Sequence, residues 1–201
     1  MIKIIHRVNT INQLNTIPQE YGVEIDIRGY GPNLLLNHEP IDDPTKHDSL
    51  ENYLQNFHHS FIIFNTKEAG YEQTIIDLAH KYNIDNFFFL DVEFPFLYKA
   101  SRVNHFRKIA IRYSEAEPIE FVESQTMLGR SLVDWVWIDT NTILPLNTNV
   151  VDRLKRFKTC LVCPSRWGRP QDIPNYIQQM KDLNFKLDAV MTSLEHINQY
   201  P

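Results

Sequence analysis

Val23-Glu24-Ile25-Asp26-Ile27-Arg28 alternates apolar and charged residues with a period of two, the pattern of a β-strand. Successive strand side chains leave opposite faces, so Glu24 and Asp26 point the same way. Two carboxylates on one face repel each other unless a proton or cation lies between them. A hard divalent cation such as Mg²⁺ or Ca²⁺ meets that need. His6 precedes the pair and His38 follows it, and imidazole is the side chain best suited to moving protons near neutral pH. The residues thus describe a metal site with an acid and a base on either side.

Strand-like runs recur across the chain at 3–7, 61–66, 87–92, 108–113, 133–139, 159–163 and 189–192. Leu34-Leu35-Leu36 reads as a short extra strand. Helix-like runs fall between them at 11–21, 50–57, 71–82, 119–127, 150–157 and 174–184. Strands alternating with helices argue for parallel β-α units. About eight such units make a closed (β/α)₈ barrel, for which ~200 residues is the lower size limit. The expected fold is therefore α/β, a compact (β/α)₈ TIM barrel forming a single domain over residues 1–201. An open doubly wound sheet is the alternative. Against it, His6-Arg7-Val8-Asn9-Thr10 stands where a glycine-rich phosphate loop would follow the first strand, and the chain has only six glycines.

Composition narrows the function. At 43% hydrophobic and 12% aromatic, the 201-residue chain can bury a core. A net charge of −5 carries no nucleic-acid footprint. No apolar run reaches the ~20 residues that span a bilayer, and Met1-Ile2-Lys3-Ile4-Ile5-His6 turns polar too soon for a secretory signal. Cys160 and Cys163 lie three apart on a strand, facing opposite sides, so they read as core thiols of a cytoplasmic protein rather than a redox or zinc pair.

Barrel enzymes place their chemistry at the C-terminal ends of the strands. Those ends carry His6 and Arg7; Glu24, Asp26 and Arg28, with His38 beyond; Asn65 and Lys67; Asp91 and Glu93; Arg112, Ser114 and Glu115; Asp139; and Ser165, Arg166 and Trp167. Strand ends also turn polar simply because the chain reaches solvent, and Arg28 reads as a surface charge. Trp135 and Trp137 share one strand face and read as core. Trp167 lies in Pro164-Ser165-Arg166-Trp167-Gly168-Arg169-Pro170 and is a candidate wall or gate for substrate, with Arg112 as a further lining residue.

His6-Arg7-Val8-Asn9, Val23-Glu24-Ile25-Asp26, Leu35-Leu36-Asn37-His38-Glu39 and Phe64-Asn65-Thr66-Lys67 form an ordered, spaced set. The set resembles the glycerophosphodiester phosphodiesterase family and its wider group, which includes phosphatidylinositol-specific phospholipase C and the spider-venom sphingomyelinase D enzymes. It covers roughly the first third of the chain. The resemblance implies a (β/α)₈ barrel with one divalent cation. It makes Glu24 and Asp26 metal ligands, His6 and His38 the acid-base pair, and Arg7 and Lys67 the phosphate holders.

Three positions depart from the pattern. Asn65 stands where the family has an acidic third ligand; an amide oxygen ligates a hard cation without contributing charge, and Asp91 is the candidate to supply it. Glu39 replaces the common Asp, and Val8 the common Gly. The implied partner is a small-molecule phosphodiester whose alcohol the sequence does not name, and a homo-oligomer could complete the pocket. No amphipathic basic helix marks a membrane surface. Two other readings stand beside this one. One is a non-catalytic barrel binding a phosphorylated or glycan ligand. The other is an unrelated barrel enzyme, a sugar-phosphate isomerase or lyase, with Glu24 or Asp91 as base.

Overall fold

The computed structural model describes all residues, Met1–Pro201. The chain divides into two compact units, residues 4–97 and residues 1–3 with 98–201.

The strands associated with the first unit are β1 (Ile2–Ile5), β2 (Gly22–Tyr30), β3 (Asn33–Leu36), β4 (Phe61–Thr66) and β5 (Phe87–Leu90). Four of them run parallel in the order β5-β4-β2-β1, and β3 folds back antiparallel on the last residues of β2. Parallel strands covered on both faces are apolar at nearly every position. Accordingly, all six residues of β4 and all four of β5 are buried. Phe64 packs its ring 5.2 Å from that of Phe87 and 5.5 Å from that of Phe89. Burying each such side chain contributes about 1.5–3 kcal/mol. Helices α1 (Ile11–Leu14), α2 (Leu50–Gln55) and α3 (Glu72–Lys81) connect these strands. α3 turns Ile75, Ile76 and Ala79 inward at helical spacing.

In the second unit, β6 (Ala110–Tyr113), β9 (Trp135–Ile138), β10 (Lys158–Val162) and β11 (Ala189–Thr192) run parallel in the order β11-β10-β9-β6. Between β6 and β9 lies a small hairpin of β7 (Thr126–Met127) and β8 (Arg130–Ser131). The helices are α4 (Phe94–Arg102), α5 (Ile119–Ser124), α6 (Thr148–Leu154) and α7 (Ile173–Asp182). Trp135 and Trp137 are core residues as read, and Cys160 and Cys163 are buried and not in a disulfide. No helix is long and apolar enough to cross a membrane.

All eight parallel strands fall where the sequence places them, within a few residues, and the extra strand at 34–36 is β3. The helices differ more. The first run, 11–21, is helical only over Ile11–Leu14. Pro18 disfavours helical backbone at the residue before it, so the helix cannot extend that far. The run 119–127 ends at Ser124, because Leu128 and Gly129 adopt positive φ and turn the chain into the β7–β8 hairpin. α4 goes unread in the sequence: Asp91, at φ 62°, ends β5 early, and Pro95 suits the first turn of the helix that follows.

Candidate active site

Glu24 and Asp26 lie on β2 and are almost wholly buried, at 1% and 0% exposed. Every group around them is set by strand register. Asp26 is paired with Asn65 on β4, and beyond β4 the Lys67 amide still donates to the Ile27 carbonyl at 3.0 Å. That registry brings Asn65 Nδ2 to Glu24 Oε1 at 2.9 Å and Lys67 Nζ to Asp26 Oδ1 at 2.9 Å.

After β1 the backbone turns at Arg7, which holds φ at 54°, a conformation non-glycine residues seldom adopt and one that clusters at functional sites. The turn aims the Arg7 amide at Glu24 Oε2 (2.8 Å), and the next amide, of Val8, donates to the Glu24 carbonyl (2.9 Å). His6 Nε2 lies 3.8 Å from Glu24 Oε2. Asn9 closes the other side: its Nδ2 donates to Asp26 Oδ2 and its Oδ1 accepts from the Asp26 amide, both at 2.8 Å. His38 arrives from β3, its ring Nδ1 2.7 Å from Glu39 Oε1, and its charge acts on Asp26.

Burial pushes the Glu24 carboxyl up to about 7, and the neighbouring Asp26 charge adds to this against the hydrogen bonds from Asn65 and Arg7. Burial also pushes Asp26 up, but the hydrogen bonds from Asn9 and Lys67 outweigh it and leave the carboxyl below its ordinary value. The two acids are therefore driven apart, one readily protonated near neutrality and the other ionised.

Three buried polar atoms here are under-satisfied: Arg7 Nε and Asn65 Oδ1 have no hydrogen-bond partner, and Asp26 Oδ1 meets only the Lys67 ammonium at 2.9 Å. The first is a donor with nothing to give to, which suits an anion. The other two are oxygens on neighbouring strands, which suit a hard cation. No three His, Cys, Asp or Glu side chains converge as a metal triad, so a cation here would take Glu24, Asp26 and the Asn65 amide oxygen. Asp91 is exposed at the left-handed turn after β5.

In the second unit, Asp139 is buried and ties two sequence candidates together. It accepts from Arg112 Nη1 at 3.0 Å and from Trp167 Nε1 at 2.9 Å. Trp167 is 42% exposed, with the Arg166 guanidinium 5.3 Å from its ring centre.

Two roles go unassigned in the sequence. Asn9 lies inside a quoted motif but looks like an ordinary loop residue. Arg28, read as a surface charge, has a side chain only 17% exposed and donates to the His38 carbonyl. The polar end of the strand pattern could have flagged it, since a cation two residues beyond Asp26 lies on the same strand face.

The chain has the (β/α)₈ barrel fold, shared with solved structures over its whole length. A glycerophosphodiester phosphodiesterase from Agrobacterium tumefaciens str. C58 superposes with a TM-score of 0.66 at 11% identity, covering 100% of this chain and 99% of that one. A glycerophosphoryl diester phosphodiesterase from Parabacteroides distasonis ATCC 8503 gives a TM-score of 0.62 at 12% identity, covering 98% and 85%. No protein-family model matches the sequence, and no curated protein matches it.

Proposed function

We propose that the protein is a phosphodiester hydrolase of the glycerophosphodiester phosphodiesterase type, acting on a small-molecule substrate. One observation carries the reading: an unpaired buried donor, Arg7 Nε, and an unpaired buried oxygen, Asn65 Oδ1, flank the buried Glu24–Asp26 carboxylate pair in a cluster that also holds two histidines. A phosphodiester supplies the anion that such a donor lacks. The fold shared with two phosphodiesterase structures is consistent with it.

In this reading Arg7 and Lys67 hold the non-bridging phosphate oxygens, as charged donors do. His38 donates Nδ1–H to Glu39, which leaves Nε2 to handle the substrate proton. His6, against Glu24, is the second proton carrier. One histidine takes the proton of the attacking hydroxyl, whether water or a neighbouring substrate hydroxyl, and the other protonates the departing alkoxide. Glu24, Asp26 and Asn65 would hold one Mg²⁺ or Ca²⁺, which when bound offsets negative charge developing on phosphate. The two buried thiols, not joined in a disulfide, suit the cytoplasm.

Turnover of glycerophosphodiesters and of a chromogenic diester, with Mg²⁺, with Ca²⁺ and with chelator, tests the reading beside His38→Ala. Turnover that is lost in the variant supports it, and metal-dependence supports the cation. Absence of turnover on every diester shifts the assignment to a binding-only barrel. One observation favours that second reading: Asn65 and Lys67 already satisfy part of the carboxylate pair from within the protein.

A further inference from the structure

The β2–β3 hairpin ends at Leu36, two residues before His38, and the backbone on both sides of that histidine is tied down. On its N-terminal side, the Asn37 amide donates to the Asp26 carbonyl at 3.1 Å, one step past the ladder of β3. On its C-terminal side, the His38 carbonyl accepts from Arg28 Nε at 3.2 Å and from Arg28 Nη2 at 2.7 Å. The guanidinium is itself held: its Nη1 donates to Glu68 Oε1 at 2.6 Å, and the other Glu68 oxygen accepts from the Gly29 amide at 2.8 Å. Glu68 follows Lys67 directly. The clamp therefore links the strand that bears the carboxylates, the segment after β4 and the loop that bears His38.

An ion pair for its own sake does not account for this geometry. The Glu68 side chain is 39% exposed, and pairs exposed to solvent contribute little. Here the guanidinium spends two of its donors on one carbonyl, which a lysine ammonium, a flexible point charge, does not reproduce. With backbone fixed before and after His38, and its ring Nδ1 held by Glu39, the imidazole keeps little freedom.

We propose that Arg28, locked by Glu68, is a positioning residue that holds His38 for proton transfer. The inference rests on the assignment of His38 above. Its signature is selective: the Arg28 donors are committed to Glu68 and the His38 carbonyl, so its loss is expected to lower kcat and leave KM for a small diester nearly unchanged. A displacement of about 1 Å at a reacting group costs ~10²-fold, and Arg28→Met is expected to lose turnover on that scale. Arg28→Lys recovers only part of it, and Glu68→Gln falls between Arg28→Lys and wild type.

The test measures kcat and KM for these three variants beside wild type and His38→Ala. It also follows amide hydrogen exchange at residues 37–41 and the His38 ring resonances. The expected result is a drop in kcat at constant KM, with faster exchange at 37–41 in Arg28→Met and a melting temperature close to wild type. Arg28→Met retaining kcat within about twofold of wild type while His38→Ala is inactive overturns the proposal. If wild type turns over no diester, the hydrolase reading fails by itself. Exchange and ring resonances then judge the clamp, and it is overturned if both are unchanged in Arg28→Met.

Discussion

Asn65 gives its amide Nδ2 to Glu24 Oε1 at 2.9 Å, an uncharged donor on the strand position where a third carboxylate would repel the first two. The contact favours the ionised form of Glu24, while an amide in place of a carboxylate leaves less negative charge to attract a cation.

Asn65→Asp therefore trades intrinsic stability for cation affinity. Without divalent ions the variant melts below wild type, because it loses a donor to Glu24 and gains a third buried acid. Ligand binding to the folded state raises stability in proportion to its affinity, so Mg²⁺ or Ca²⁺ should raise the melting temperature of Asn65→Asp more than that of wild type. Calorimetric melts with each cation and with chelator read the difference.

His6→Ala and His38→Ala should each remove ~10²–10⁴-fold of turnover, the usual range for a positioned acid or base. Far-UV circular dichroism should be unchanged, since neither ring fills the core: side-chain exposure is 21% for His6 and 36% for His38. Near-wild-type kcat in either variant strikes that residue from the mechanism.

Glu24 makes stability pH-dependent in the cation-free protein. Its folded pKa of about 7 lies above the ordinary 4.5, so the folded state binds its proton more tightly than the unfolded chain does. The resulting stability is complete below the ordinary value and is lost as pH rises through about 7. The loss is on the order of 3 kcal/mol. Asp26, lowered instead, acts in the opposite sense and only in acid. Urea denaturation between pH 5 and pH 8, with chelator present, should show a decline in wild type that Glu24→Gln flattens.

Tyr53 is buried on α2 and its hydroxyl donates to the Val8 carbonyl at 2.8 Å. Tyr53→Phe removes that bond and leaves a buried carbonyl short of a donor, at a cost of about 1–3 kcal/mol. A lowered urea midpoint with unchanged slope is the expected record.

The strands were legible because their interiors carry unbroken apolar residues, as in Phe61-Ile62-Ile63-Phe64 and Phe87-Phe88-Phe89-Leu90. The acid pair was legible for a related reason, since charge inside such a run has few explanations. Helix extents were less so. Thr10 and Gln13 form a capping box that starts α1 well, but what stops it is a proline four residues past its end. Arg28 and Asn9 escaped because each has, beside a carboxylate partner, a backbone one, the His38 carbonyl or the Asp26 amide, brought near by a hairpin and a strand register. Residue type alone does not announce such partners. Asp91 shows the converse: an acid at a strand end is exposed when the strand stops early.

Every polar group gathered around the carboxylate pair lies between His6 and Glu68. The assembly is thus inherited as one block. A recombination breakpoint after Glu68 would carry both histidines, Arg7, Lys67, the carboxylate pair and the Arg28–Glu68 clamp together into another barrel, whereas a breakpoint between His38 and Asn65 would leave each parent with an incomplete set.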